Sequence, residues 1–140
     1  MVQCFRALDH TGDLGVEVWG RDWPSLFENA SLALVDLLAE AESIQPLQHQ
    51  GWLLESETRE ALLVRQLEEI LYRMDAEGMV FSKFRIKMPD AQGLICDAWG
   101  EPLDRNRHGF KTEMKAVTYH GLKLWQAEDG RYLARIIFDV

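Results

Sequence analysis

Val80-Phe81-Ser82-Lys83-Phe84-Arg85-Ile86-Lys87-Met88 decides the fold class. Val80, Ser82, Phe84, Ile86 and Met88 alternate with Lys83, Arg85 and Lys87, the period-two signature of a strand with one dry and one wet face. Pro89-Asp90-Ala91-Gln92-Gly93 follows as a turn, and Leu94 to Gly100 reads as the returning arm of a hairpin. Beyond it, a polar loop from Glu101 to Lys111 leads to a strand over Glu113–Tyr119. Leu122–Trp125 and the turn Glu128-Asp129-Gly130 then lead to a last strand, Tyr132–Asp139.

Upstream the period changes. Phe5 to Leu8 is a short strand candidate, and Leu14 to Trp19 alternates with Leu14, Val16 and Val18 on one face. Asp22 suits a helix N-cap with Pro24 in the first turn, and Phe27, Ala30, Leu34, Leu37, Leu38 and Ala41 recur at helical spacing. Glu42 to Gly51 reads as a linker and Trp52 to Glu55 as a short strand. Thr58 caps a second helix whose stripe is Leu63, Leu67, Ile70, Leu71 and Met74, ended by Gly78. Two helices early and four or five strands late give an α+β single domain over residues 1–140, a mostly antiparallel sheet packed with two main helices.

With 140 residues, 47 % of them hydrophobic and 27 % charged, the chain is long enough to bury a core. Its net charge of −8 counts against a main role in gripping phosphate backbones, so no strong direct nucleic-acid binding is expected. Cys4 and Cys96 form no CxxC and suit thiols in a reducing compartment, a single disulfide being the open alternative. No signal-peptide pattern opens the chain, and Ala30 to Leu38 is too short to span a bilayer, so a cytoplasmic protein without a membrane segment is expected.

Phosphate loops, nucleophile elbows and HExxH zinc motifs are all missing from the sequence. Asp13 follows His10-Thr11-Gly12 at the head of one strand, and Asp139 precedes Val140 at the end of another. If those strands meet, Asp13, Asp139 and an oxygen of Val140 make an oxygen-rich site suited to a hard divalent cation. By spacing alone, a solvated turn aspartate and a solvated strand-end carboxylate are the simpler reading. Of the four histidines, His10 and His120 sit at strand ends beside turns, where hydrogen bonding to backbone is the plain role; His49 lies in the linker. No pair has the i, i+4 spacing of a helical zinc site. Lys115, with Val117 and Tyr119 on one strand face, reads either as a snorkelling surface lysine or as a cation opposite the aspartates. Lys83, Arg85 and Lys87 read as a solvated strand face. Arg105, Arg107, His108 and Lys111 make a basic loop, solvated or facing a nucleic acid or an acidic partner.

Six segments together resemble the archease family. They are His10-Thr11-Gly12-Asp13-Leu14-Gly15, Leu26-Phe27-Glu28-Asn29-Ala30, Glu69-Ile70-Leu71-Tyr72, Gly78-Met79-Val80-Phe81-Ser82, Lys115-Ala116-Val117-Thr118-Tyr119-His120 and Ala134-Arg135-Ile136-Ile137-Phe138-Asp139-Val140. The resemblance implies an accessory protein, not an enzyme in its own right, that activates an RtcB-type RNA ligase in tRNA splicing and RNA repair. That ligase uses GTP and manganese, and an archease promotes its guanylylation and multiple turnover. The same resemblance implies a divalent cation, calcium above all with manganese or magnesium as alternatives, held by Asp13, Asp139 and an oxygen of Val140. Lys115 is implied in ligase activation, and His10 and His120 are candidates to support the site. tRNA would be met indirectly, through the ligase. The competing readings are a small metal-dependent phosphoester hydrolase using Asp13, Asp139 and His120, and a chaperone-like binder with no metal chemistry.

Overall fold

In the computed structural model, residues 4–10 and 13–140 are described, the side chains of residues 9 and 10 excepted. The elements run β1 (Phe5–His10), β2 (Asp13–Gly20), α1 (Trp23–Leu38), a 3-10 turn (Ala41–Ser43), β3 (Gln48–Glu55) and α2 (Arg59–Glu77). They continue with β4 (Met79–Asp90), β5 (Gly93–Pro102), β6 (Ala116–Gln126) and β7 (Tyr132–Asp139). All strand pairings are antiparallel, and the strands divide into two sheets, β1-β2-β7-β6 and β3-β5-β4. The α+β reading holds.

Local chemistry accounts for the helix ends. Asp22 accepts a hydrogen bond from Ser25 N at 2.8 Å, and Thr58 accepts one from Ala61 N at 3.0 Å. Gly78, at φ 65°, closes α2 by donating to Arg73 and Met74 carbonyls, a left-handed stop that glycine adopts without a Cβ clash. Helix α1 packs on β2 and β4, and α2 on β6, β4 and β3. Their buried faces join Val16, Val18, Phe81, Ile136 and Phe138 in one core. A polar chain runs through it: Trp52 Nε1 donates to Gln66 at 2.9 Å, Gln66 Nε2 to Ser31 Oγ at 3.2 Å, and Ser31 Oγ to the Phe27 carbonyl at 2.8 Å. Gln66 sits on the stripe of α2, and with every partner buried the chain ties α2 to α1 on one side and to Trp52 of β3 on the other.

Several boundaries differ from the sequence reading. Helix α1 ends at Leu38, short of Ala41, with Ala39 in extended conformation as its C-cap. The presumed linker up to Gly51 holds half of β3: Gln48, His49, Gln50 and Gly51 pair with Gly100, Trp99, Ala98 and Asp97. Pairing with a neighbouring strand supplies there what side-chain periodicity does not. In β4 a register shift between Phe81 and Lys83 puts Phe81, not Ser82, in the fully buried position. Strand β6 begins at Ala116, so Glu113 to Lys115 precede it, and it absorbs Leu122–Trp125.

Candidate functional site

The first sheet brings the two ends of the chain together. Strands β2 and β7 pair from Gly20↔Tyr132 to Leu14↔Phe138, so the same register carries Asp13 and Asp139 to the next rung. Asp13 is also the partner of His10 across β1, and Asp139 is the partner of Ala116 across β6. Residues 10, 13, 139 and 116 therefore cross all four strands at one end of the sheet. Phe138, one step in, and Ile136, two residues further, are fully buried and anchor the strand behind the rung. Cross-strand partners share a face and successive residues alternate, so the two aspartates lie on the face opposite Leu14 and Phe138.

Lys115 comes to the same edge by its backbone, its N–H donating to the Asp139 carbonyl at 2.9 Å while its side chain is exposed. The face expected for Lys115, Val117 and Tyr119 does not form. Val117 is buried, whereas Tyr119 is 62 % exposed, because the β6–β7 register slips between Thr118 and Lys123. Tyr119, His120, Gly121 and Leu122 fill that irregularity, with Gly121 at φ 68° and Thr118 Oγ1 tied to the Ile137 carbonyl at 3.0 Å. His120 is exposed, in the irregular stretch of β6 between Thr118 and Lys123 and past the Ala116–Asp139 rung. The His10 side chain, Thr11 and Gly12 lie outside the described residues.

No group of three or more His, Cys, Asp or Glu with metal-holding geometry occurs among the described residues. What the rung offers is two carboxylates with nearby main-chain oxygens. Such a hard, all-oxygen set suits calcium, magnesium or manganese completed by water, and not zinc.

The basic loop leaves Arg105, Arg107 and Lys111 exposed, as a solvated segment would, but His108 departs from that reading and ties the loop into a knot. His108 is fully buried; its Nδ1 accepts from Asp104 N at 3.0 Å and its Nε2 lies 3.2 Å from Glu101. Glu101 also takes Gln45 N at 2.6 Å and the Arg107 guanidinium, which reaches on to the Ser43 carbonyl. Arg107 first, then Gln45 and His108, hold the Glu101 carboxyl well below its usual range, at about 2. Glu40 N and Lys111 N bond across to the His108 and Leu38 carbonyls, so the knot clamps the loop to the end of α1. Asp104, whose carboxylate accepts from Asn106 N and Arg107 N, is the turn signal the sequence held for it.

His49, given no role from sequence, lies 2.7 Å from Asp97. No disulfide joins Cys4 to Cys96, and burial pushes Cys96 up to about 12, which keeps it protonated and unreactive. Glu28, half-buried in α1, caps the Ile86 N–H of the edge strand β4 at 2.8 Å, and burial raises its carboxyl. No helix among the described residues is long and apolar enough to cross a membrane.

Residues 5–140 match the model of the Archease protein family. The protein archease of Pyrococcus furiosus is 36 % identical over 135 residues, covering 94 % of this chain and 95 % of its own. The protein archease of Methanopyrus kandleri is 37 % identical over 136 residues, covering 95 % and 96 %. Among solved structures, protein 1598 of Methanobacterium thermoautotrophicum superposes with a TM-score of 0.85 at 32 % identity, covering 99 % of this chain and all of that one. An archease from Thermotoga maritima, described as a possible chaperone, shares the fold with a TM-score of 0.65 at 21 % identity over 96 % of each chain. A match over nearly the full length, with the aspartate-bearing strands paired in the first sheet, makes this chain a member of the archease family.

Proposed function

We propose that this archease activates an RtcB-type RNA ligase, promoting its guanylylation by GTP and its multiple turnover in tRNA splicing and RNA repair. It acts in the cytoplasm as an accessory protein with no turnover of its own. The observation that supports this reading most is the rung at the end of the first sheet, where the register carries Asp13 and Asp139 together and the Lys115 backbone joins them.

In this reading Asp13, Asp139 and a main-chain oxygen of Val140 hold a divalent cation, calcium or else manganese or magnesium. The cation would supply positive charge that neutralises the carboxylates and fixes their oxygens. The residues do the rest. The β2–β7 ladder keeps both carboxylates at one exposed edge, so that they present a preorganised acidic tip to the ligase. Lys115, held to Asp139 through its backbone, leaves its ammonium free to meet a phosphate or carboxylate on the ligase side. Tyr119 and His120, exposed further along β6, would extend the contact with the ligase.

The test is single-turnover guanylylation of the cognate ligase with and without substoichiometric archease. A large acceleration that disappears in Asp139→Ala and in Asp13→Ala, with melting temperatures preserved, is expected. Normal stimulation by either variant sinks the site assignment. Phosphoester turnover by the protein alone would favour a hydrolase, and client protection that survives chelation and loss of both aspartates would favour a chaperone-like binder.

A further inference from the structure

The second sheet has a face that the core does not use. Along β5, Ile95, Asp97 and Trp99 point away from the helices, between Leu53, Gly51 and His49 of β3 and Lys87, Arg85 and Lys83 of β4. Leu53 is 72 % exposed, and the three cations are exposed as well. At one end of this face is the half-buried Trp99: Lys83 Nζ lies 4.8 Å and the Arg85 guanidinium 5.8 Å from its ring centroid, and the His49 ring lies 5.1 Å away.

Three features separate this face from an ordinary wet strand. The first is a local reversal of sign: in a chain of net charge −8, three cations stand in a row against two carboxylates of the same face, Asp97 and Glu55. The second is an open gap beside Asp97, since Gly51 carries no side chain there and the indole and Leu53 stand on either side of it along their own strands. The third is the His49–Asp97 pair, a donor and an acceptor 2.7 Å apart on the same surface. An acidic peptide would satisfy the cations and leave the indole without a planar partner. A single nucleic-acid strand supplies both charges and rings, and a ribose adds a 2′-hydroxyl for the His49–Asp97 pair.

We propose that the open face of the β3-β5-β4 sheet binds a single-stranded stretch of RNA, its phosphates along Lys83, Arg85 and Lys87 and a base stacked at Trp99. Cations two residues apart on one strand stand about 6.8 Å apart, a ladder for successive phosphates. The overall negative charge keeps such binding modest and confined to this face. The inference is independent of the ligase reading, because the cation rung belongs to the other sheet.

The experiment is fluorescence anisotropy of a labelled oligouridine against the protein alone, across a salt titration. Three phosphate contacts predict a slope of log K on log salt of about −2. The double variant Lys83→Gln, Lys87→Gln should bring the slope to about −0.7. Trp99→Leu should weaken binding by about tenfold or more with its melting temperature checked, and oligothymidine should bind less tightly than oligouridine. The proposal is overturned by absence of binding at low salt, or by binding that the lysine pair variant leaves unchanged. Equal or tighter binding of oligothymidine, or of polyglutamate, overturns it too, the latter assigning the face to an acidic protein.

Discussion

The two sheets are assembled from opposite kinds of contact. In β3-β5-β4 one of the two pairings is a hairpin, β4 and β5 meeting through the short turn at Ala91 and Gln92. In β1-β2-β7-β6 the central pairing joins the start of the chain to its end, Leu14 to Phe138. Local pairing forms at little loop-closure cost, whereas pairing across the whole chain waits until the intervening structure has condensed. Placing the carboxylate pair on the long-range ladder makes the tip a property of the completed fold. The second sheet starts from that local hairpin and adds β3 across α2 and β4, so its polar surface does not wait for the two ends of the chain to meet.

The most severe way to break the comparison is at Gly100, where β5 crosses the irregularity of β4. A Cβ there would lie 1.8 Å from the Val80 carbonyl oxygen and 2.7 Å from Phe81 Cα, both backbone atoms that cannot swing aside. Gly100→Ala should cost more than about 4 kcal/mol and leave little folded protein, as read by urea unfolding. A melting temperature near that of the parent would disprove the β4–β5 register.

Next in size are two phenylalanines, one behind each sheet, both fully buried. Phe81→Ala and Phe138→Ala should each destabilise by about 3–5 kcal/mol. Their effects on function should part company. Phe138 lies one residue from Asp139, so its loss should reduce ligase stimulation even where the protein remains folded. Phe81→Ala at a temperature of equal folded fraction should stimulate normally. Equal loss of stimulation in both would mean that the tip does not depend on the first sheet in particular.

A milder perturbation isolates the long-range ladder. A Cβ at Gly15 would sit 3.0 Å from Ile137 Cδ1 and 3.3 Å from Leu8 Cβ, and the first of these is the tip of a flexible side chain. Gly15→Ala should therefore cost about 1–3 kcal/mol by overpacking and leave the strand order intact, a moderate fall in melting temperature set beside the collapse expected at Gly100.

The same contrast explains what could be read from sequence. The hairpin was legible because alternation and a turn lie within one short stretch, and both helices announced their caps at Asp22 and Thr58. The meeting of β2 with β7 left no local trace. Asp13 and Asp139 gained meaning through resemblance to a family, since spacing alone favoured solvated carboxylates. Residues 48–51 of β3 escaped notice because an edge strand whose residues alternate between a covered and an open face needs little hydrophobicity in any one segment. Phe81 and Tyr119 were misplaced for one reason: a register shift changes which side chains face inward, and no periodicity rule marks it. His108 was read by its basic neighbours, although burial beside a carboxylate is decided by what the loop folds against.

The smallest expected effect concerns what joins the sheets. The only chain between β5 and β6 is the 103–115 segment, and the Glu101–Arg107–His108 knot ties it to the end of α1. Arg107, Gln45 and His108 lower the Glu101 carboxyl from its ordinary 4.5 to about 2. A carboxyl depressed in the folded state favours folding in full above its unfolded value, and that contribution fades as pH falls from about 4.5 toward 2. Glu101→Gln should thus melt at a lower temperature at neutral pH and show a shallower decline than the parent across the acid range. Because the knot touches neither Asp13 nor Asp139, guanylylation of the ligase at neutral pH should be unaltered in this variant. A parallel acid decline in variant and parent would mean that Arg107 does not hold Glu101 in solution, and that the crossover between the sheets is secured by its backbone bonds to α1 alone.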